Sequence, residues 1–247
     1  MIQGHLIIIG AMKAGTTSLY KALAGHPEIV RGRRKELNHF ATEPWRGPKS
    51  YAALFRDPPD RSVTTLDASP AYAKLEPGSK VPRRIAKLPR PVHLVYVLRD
   101  PMARTLSHVR HNLSRGRAGK DLERLRLAHY VRASLYSAQI HAYAKAGLAD
   151  RLLLLDFETL CRDPDAAVAA VCRHAGLSPH AVSGPIHANA SALPDEAVEG
   201  LDLEALRAAL RGERRRMIRR HGFAPAERWT RLGPPAPEAT APAAPAA

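Results

Sequence analysis

Residues 10–18 read GAMKAGTTS: two glycines frame a single lysine, and three hydroxyl side chains follow. Glycines let a backbone turn tightly and approach a ligand, amides at the head of a helix attract an anion, and lysine adds a mobile positive charge. The chemistry this points to is a grip on a phosphate or a sulfate. A triphosphate loop of the form G-x-x-x-x-G-K-S/T sets its lysine directly after the second glycine, on the β/γ-phosphates, and its hydroxyl on magnesium. Gly10 and Gly15 keep that spacing, but Thr16 stands where the lysine belongs and Lys13 lies inside the loop. The backbone cradle survives this change, whereas the magnesium and γ-phosphate geometry does not. No metal ligand set is assigned.

A second anion site is legible in VYVLRDPMARTLSHVRHN. Arg99 ends an apolar run and offers a fork of donors, and Ser107 lies two turns into the helix that follows, where both can reach one phosphate. Arg104 and His108 share that polar face, and capping or solvation explains them as well. Candidates for moving a proton are Glu36 and His39 in RGRRKELNHF and Asp67 at the end of SVTTLDAS. A carboxylate gains basicity from partial burial, and imidazole titrates near neutrality. Asp156, ending LLLLD, reads as structural.

These residues need elements to hold them. HLIIIG (5–10), SVTTLDAS (62–69), PVHLVYVLRD (91–100) and RLLLLDFETL (151–160) read as strands. A helix begins at Thr17 and closes at Gly25. Another follows Asp100 as cap and Pro101 as first residue, with Met102, Leu106, Val109 and Leu113 on one face. Val168, Val171, Cys172 and Ala175 define a third after Pro164. Strands alternating with helices predict an α/β fold, a three-layer sandwich around a mostly parallel sheet with ligands at the carboxyl ends of its strands.

The chain has 247 residues and 45% hydrophobic content, enough for one globular domain over 1–232. GPPAPEATAPAAPAA, residues 233–247, has no large apolar side chain to bury and reads as a disordered tail. Two cysteines, Cys161 and Cys172, are too few for a disulfide framework, and no segment approaches the ~20 apolar residues of a membrane span. A cytoplasmic protein is expected. The formal net charge of +15 would concentrate anionic substrates around the chain. RGERRRMIRR (211–220) carries much charge without neighbouring aromatics, so it reads as a solvated helix face and no nucleic-acid partner is expected.

GAMKAGTTSLYKAL resembles the 5′-phosphosulfate loop of sulfotransferases that use 3′-phosphoadenosine 5′-phosphosulfate (PAPS), and the spacing of Arg99, Pro101, Arg104 and Ser107 resembles their 3′-phosphate segment. KELNHF (35–40) and DASPAY (67–72) are similar to further elements of the family, whose carbohydrate and related bacterial branch is nearest in motif. The resemblance implies a P-loop-like sulfotransferase fold and transfer of a sulfuryl group from PAPS to a hydroxyl of a carbohydrate, lipid or secondary metabolite. The 3′,5′-bisphosphate PAP would be the product, with no metal required. It assigns the donor to Lys13, Ala14, Gly15, Thr16, Thr17, Ser18, Arg99 and Ser107. Lys13 would stand at the leaving bridging oxygen, and Glu36 is favoured as base over His39 and Asp67. Departures are Ala68, where the carbohydrate branch has lysine, and Val109, where the family has tyrosine. A P-loop kinase using ATP and a non-catalytic anion or nucleic-acid binder are the alternatives. Oligomeric state is not legible.

Overall fold

The computed structural model describes residues 1–42, 47–55, 61–76, 78–116, 127–182, 198 and 200–229. Five strands form its centre: β1 (Ile2–Gly10), β2 (Ile29–Arg31), β3 (Val63–Ala68), β4 (Val92–Leu98) and β5 (Leu152–Asp156). All neighbouring pairs are parallel, in the order β2-β3-β1-β4-β5. β1 is central, with Leu6 opposite Leu66 on one side and Ile7 opposite Leu94 on the other. β3 is buried along its whole length, and Leu94 to Leu98 of β4 are fully enclosed, as strands covered on both faces must be. That double burial is why Leu94 to Leu98 run apolar without alternation, and why the polar Thr65 and Asp67 of β3 are enclosed.

Helices supply the cover. α1 (Thr16–Leu23) packs against α9 (Pro164–Ala175), which also lies on β4 and β5. α4 (Val81–Ile85) packs against α2 (His39–Thr42) and α7 (Tyr136–Lys145), and α11 (Glu213–His221) lies on α7. A smaller apolar cluster joins Met102 and Val109 of α5 (Pro101–Ser114), Tyr130 of α6 (Leu127–Arg132), and Leu206 and Leu210 of α10 (Leu203–Leu210). α3 (Pro48–Ala52) precedes β3, and α8 (Phe157–Arg162) follows β5. The remaining short elements are 3₁₀ turns, among them Pro70–Ala73 after β3.

Two sequence expectations change. β2 was not anticipated: three residues, IVR, are too few for any period to register. The expected strand over 151–160 is strand only to Asp156, whose carboxylate accepts from the Thr159 amide at 2.9 Å and starts α8. The tail expected over 233–247 lies outside the described residues. Glu213 and Met217 of α11 face inward while Arg214, Arg215, Arg219 and Arg220 are exposed, the solvated face its sequence suggested.

The chain runs from β1 to β2 and β3 on one side, then crosses to β4 and β5 on the other. The loops after β1 and β4 therefore diverge and leave a crevice at the carboxyl edge, the place where open parallel sheets hold ligands.

Candidate active site at the carboxyl edge of the sheet

The loop after β1 is tightly constrained. Lys13 has φ 70° and Gly15 has φ 77°, both in the left-handed region, and Gly15 is the N-cap residue of α1. A Cβ at Gly15 would stand 3.1 Å from Leu160 and 3.2 Å from Phe157; one at Gly10 would stand 2.9 Å from the Ala73 Cβ. The frame of glycines thus follows from space as well as backbone angle. The Ala11 amide donates to the Val97 carbonyl at 2.8 Å and ties the loop to β4. Ala14 is buried, while the amides of Gly15, Thr16, Thr17 and Ser18 stand at the head of a helix whose first turn has no acidic side chain.

Arg99, in the turn after β4, reaches this loop. Its Nη1 donates to the Lys13 carbonyl at 3.2 Å, and its guanidinium lies 4.7 Å above the centre of the Phe157 ring. The same ring lies beneath Gly15, so one aromatic side chain floors both segments. The buried Nε of Arg99 has no hydrogen-bond partner, and Tyr136 donates its hydroxyl to the Arg99 carbonyl at 2.9 Å. Asp100 caps α5 by accepting from the Ala103 amide at 2.9 Å. Ser107 is buried on α5, between Arg99 before the helix and Arg115 at its end. Burial holds the Lys13 ammonium below the usual lysine range, and the charges of Arg99 and Arg115 add to that effect. Lys13 and Arg99 thus meet at one crevice with no carboxylate paired to either among the described contacts, an arrangement that an entering anion relieves.

Glu36 lies in the loop that follows β2. Its side chain is 48% exposed and pairs with Lys35 at 2.7 Å. It takes φ 62°, and Asn38 takes φ 55°. His39 behaves differently: it is 1% exposed, with its ring 5.0 Å from Phe40 and 5.5 Å from Tyr51, inside an aromatic cluster. Asp67 is also 1% exposed. Its carboxylate accepts from Ser69 at 2.7 Å, Tyr72 at 3.0 Å and Tyr51 at 3.2 Å. Burial raises its pKa, and the hydroxyl donors oppose that rise only in part.

Comparison with known proteins bears on what this crevice is. A family model described as "Sulfotransferase family" matches residues 83–181, which contain β4, Arg99 and Ser107. A crystal structure of a sulfotransferase from Alicyclobacillus acidocaldarius superimposes with a TM-score of 0.65 at 26% identity, covering 86% of this chain and 93% of that one. The chain is similar to the sulfotransferase family in the sequence of this span and in fold. Among curated relatives, human heparan sulfate glucosamine 3-O-sulfotransferase 6 is 26% identical over 181 residues, 69% of this chain and 52% of its own length. Human heparan sulfate glucosamine 3-O-sulfotransferase 3B1 is 31% identical over 143 residues, 56% of this chain and 35% of its own. The chain spans about half the length, or less, of these relatives. No helix among the described residues is long and apolar enough to cross a membrane.

Two positions on α5 need correction. Arg104 and His108 neither cap nor meet solvent; both are buried. Arg104 donates through Nε to Ser134 at 2.6 Å, meets His108 Nδ1 at 3.2 Å, and bonds the Tyr130 carbonyl, which ties α5 to the segment around α6. Burial, and then the Arg104 charge, push His108 down to about 2. Sequence reasoning passed over Phe157, Tyr136 and Arg115. Phe157 had one available signal: an aromatic directly after a strand that ends in a capping aspartate. Asp156, read as structural, accepts from the Thr159 amide and hydroxyl and from Arg228 at 2.7 Å.

Proposed function

We propose that this chain transfers a sulfuryl group from PAPS to an acceptor hydroxyl. The observation that carries the reading is Arg99 reaching the Lys13 carbonyl: it makes one crevice of two separate anion-binding segments, as a ligand with a phosphate at each end requires. The orphaned Arg99 Nε and the glycine frame that a Cβ would fill fit such a ligand. PAPS supplies the sulfuryl group and a good leaving group in its 5′-phosphate.

The residues divide the work. The amides of Ala14 to Ser18, with the hydroxyls of Thr16, Thr17 and Ser18, hold the 5′-phosphate, and Arg99 with Ser107 holds the 3′-phosphate. Lys13 is a mobile point charge that neutralises negative charge building on the bridging oxygen as its bond to sulfur breaks. Glu36 takes the proton of the acceptor hydroxyl as its oxygen bonds to sulfur, in line with the leaving oxygen, by analogy with phosphoryl transfer. Its exposed position favours it over His39 and Asp67, both enclosed by protein. The acceptor is a hydroxyl of a carbohydrate, lipid or secondary metabolite. The curated relatives are named for a saccharide substrate, while Ala68 departs from the carbohydrate branch. We place the protein in the cytoplasm on the strength of its unpaired Cys161 and Cys172.

Isothermal titration with PAP, ADP and ATP, each with and without magnesium, tests the reading. Metal-independent binding of PAP in preference to both other nucleotides is expected. Magnesium-dependent preference for ATP would assign the loop to a kinase, and salt-sensitive polynucleotide binding without selectivity for PAP would assign it to a nucleic-acid binder.

A further inference from the structure

The loop bearing Glu36 is held in a backbone conformation that its residues do not choose for themselves. Glu36 and Asn38 both have left-handed φ, which costs Glu36 about 1–2 kcal/mol and which asparagine adopts more readily. Such angles persist where the surroundings over-determine them. Leu37, between the two, is 3% exposed. The Asn38 amide donates to Ser69 Oγ at 3.0 Å, and that hydroxyl donates onward to Asp67 Oδ1 at 2.7 Å. The Asn38 amide of the loop is therefore fixed to the end of β3 through one serine, and Leu37 beside it is buried. Tyr51 and Tyr72 take the other oxygen of Asp67. With three hydroxyl donors on a carboxylate that is 1% exposed, Asp67 is closed to an acceptor hydroxyl.

We propose that Asp67 and Ser69 are positioning residues for Glu36: the buried carboxylate orients the serine hydroxyl, and the pair clamps the Asn38 amide two residues after Glu36, setting where its carboxylate stands at the carboxyl edge of the sheet. Neither side chain touches the acceptor. The inference rests on the reading of Glu36 as base.

The test separates loop anchoring from general stability. Asp67→Asn risks unfolding, so Ser69→Ala is the principal variant, with Ser137→Ala on α7, which loses a buried hydroxyl contact to Glu213 of α11, as a control of similar chemistry. Amide hydrogen exchange is read on the peptide spanning residues 34–40. Ser69→Ala is expected to speed exchange there by about tenfold, the scale of one lost hydrogen bond, with exchange in α1 and affinity for PAP retained. Ser137→Ala should leave that peptide protected. Unchanged protection in Ser69→Ala, or equal loss in Ser137→Ala, would overturn the proposal.

Release of PAP from PAPS, with water as the acceptor, is then measured in both backgrounds. Ser69→Ala should slow it about tenfold or more in the wild type, as small misplacements of a reacting group do, and should slow it no further in Glu36→Gln. An equal further loss in Glu36→Gln would show Ser69 acting independently of Glu36 and would contradict the inference. Wild-type release by Glu36→Gln itself would remove Glu36 as base, a failure visible apart from the exchange result.

Discussion

In the proposed reaction, Arg99 and Lys13 divide a task that one residue type cannot perform. The guanidinium is a fixed fork, positioned by Phe157 beneath it and by its bond to the Lys13 carbonyl, whereas the ammonium of Lys13 is a point charge able to follow a moving oxygen. Glu36 stands apart from both as the proposed base, so its loss is separable from donor binding. Glu36→Gln is expected to leave PAP affinity within about twofold and to lower turnover of PAPS by about 100-fold or more, the usual contribution of a positioned base. Titration and rate assays on one preparation check this, and retained turnover would contradict it. The positions of Lys13, Arg99 and Ser107 in the fold were legible because glycine frames and strand-end arginines carry local signals. Phe157, Tyr136 and Arg115 were not, since each reaches the crevice from a part of the chain whose placement only tertiary packing decides. For Asp67 the position at a strand end was legible and its enclosure by Tyr51, Tyr72 and Ser69 was not.

The turn from β1 into α1 is built around Gly15, which takes φ 77° with apolar side chains at van der Waals limits on its Cβ side. Gly15→Ala combines left-handed strain with contacts near 3.1 Å to Leu160, so a loss of about 1–3 kcal/mol is expected, with PAP affinity falling as the loop shifts. Thermal melts with and without PAP check it; an unchanged Tm would show that the loop has more freedom than its geometry implies. At this scale the sequence was informative wherever elements were long and continuously apolar, as in β1 and β4. It failed for β2, where three residues lie at an edge, and overran β5, where apolar residues continue past Asp156 into a helix. The helix after Asp100 was legible from its cap, its proline and its stripe, but nothing local revealed that Arg104 turns inward to Ser134 and the Tyr130 carbonyl.

For the molecule as a whole, buried histidines link stability to pH. His5 on β1 is enclosed, with Nδ1 2.7 Å from Thr65 Oγ1, and burial, then the Arg90 charge, lower its pKa to about 4 from 6.5. Between those values the unfolded chain binds more protons than the folded one, so stability present above pH 6.5 is lost as pH falls toward 4. Asp67 acts in the opposite sense, because its raised pKa favours the folded state on acidification. Comparison with a variant isolates the histidine: His5→Gln should lose less Tm between pH 7 and pH 5 than the wild type loses. Equal losses would mean that His5 titrates normally in the fold. The parallel α/β architecture was legible from alternation of strands and helices, and the crevice followed from the strand order, which brings the ends of β1 and β4 side by side.

The central claim is that one crevice grips both phosphates of a 3′,5′-bisphosphate, with Arg99 on the 3′ end. The most direct test is calorimetric titration of wild type and Arg99→Ala with PAP and with adenosine 5′-phosphate. Loss of a charge-assisted bidentate contact should weaken PAP by about 10–100-fold while adenosine 5′-phosphate changes by less than about threefold. Equal weakening of the two ligands would contradict the assignment of Arg99 to the 3′-phosphate, and with it the account of the crevice as a site for this donor.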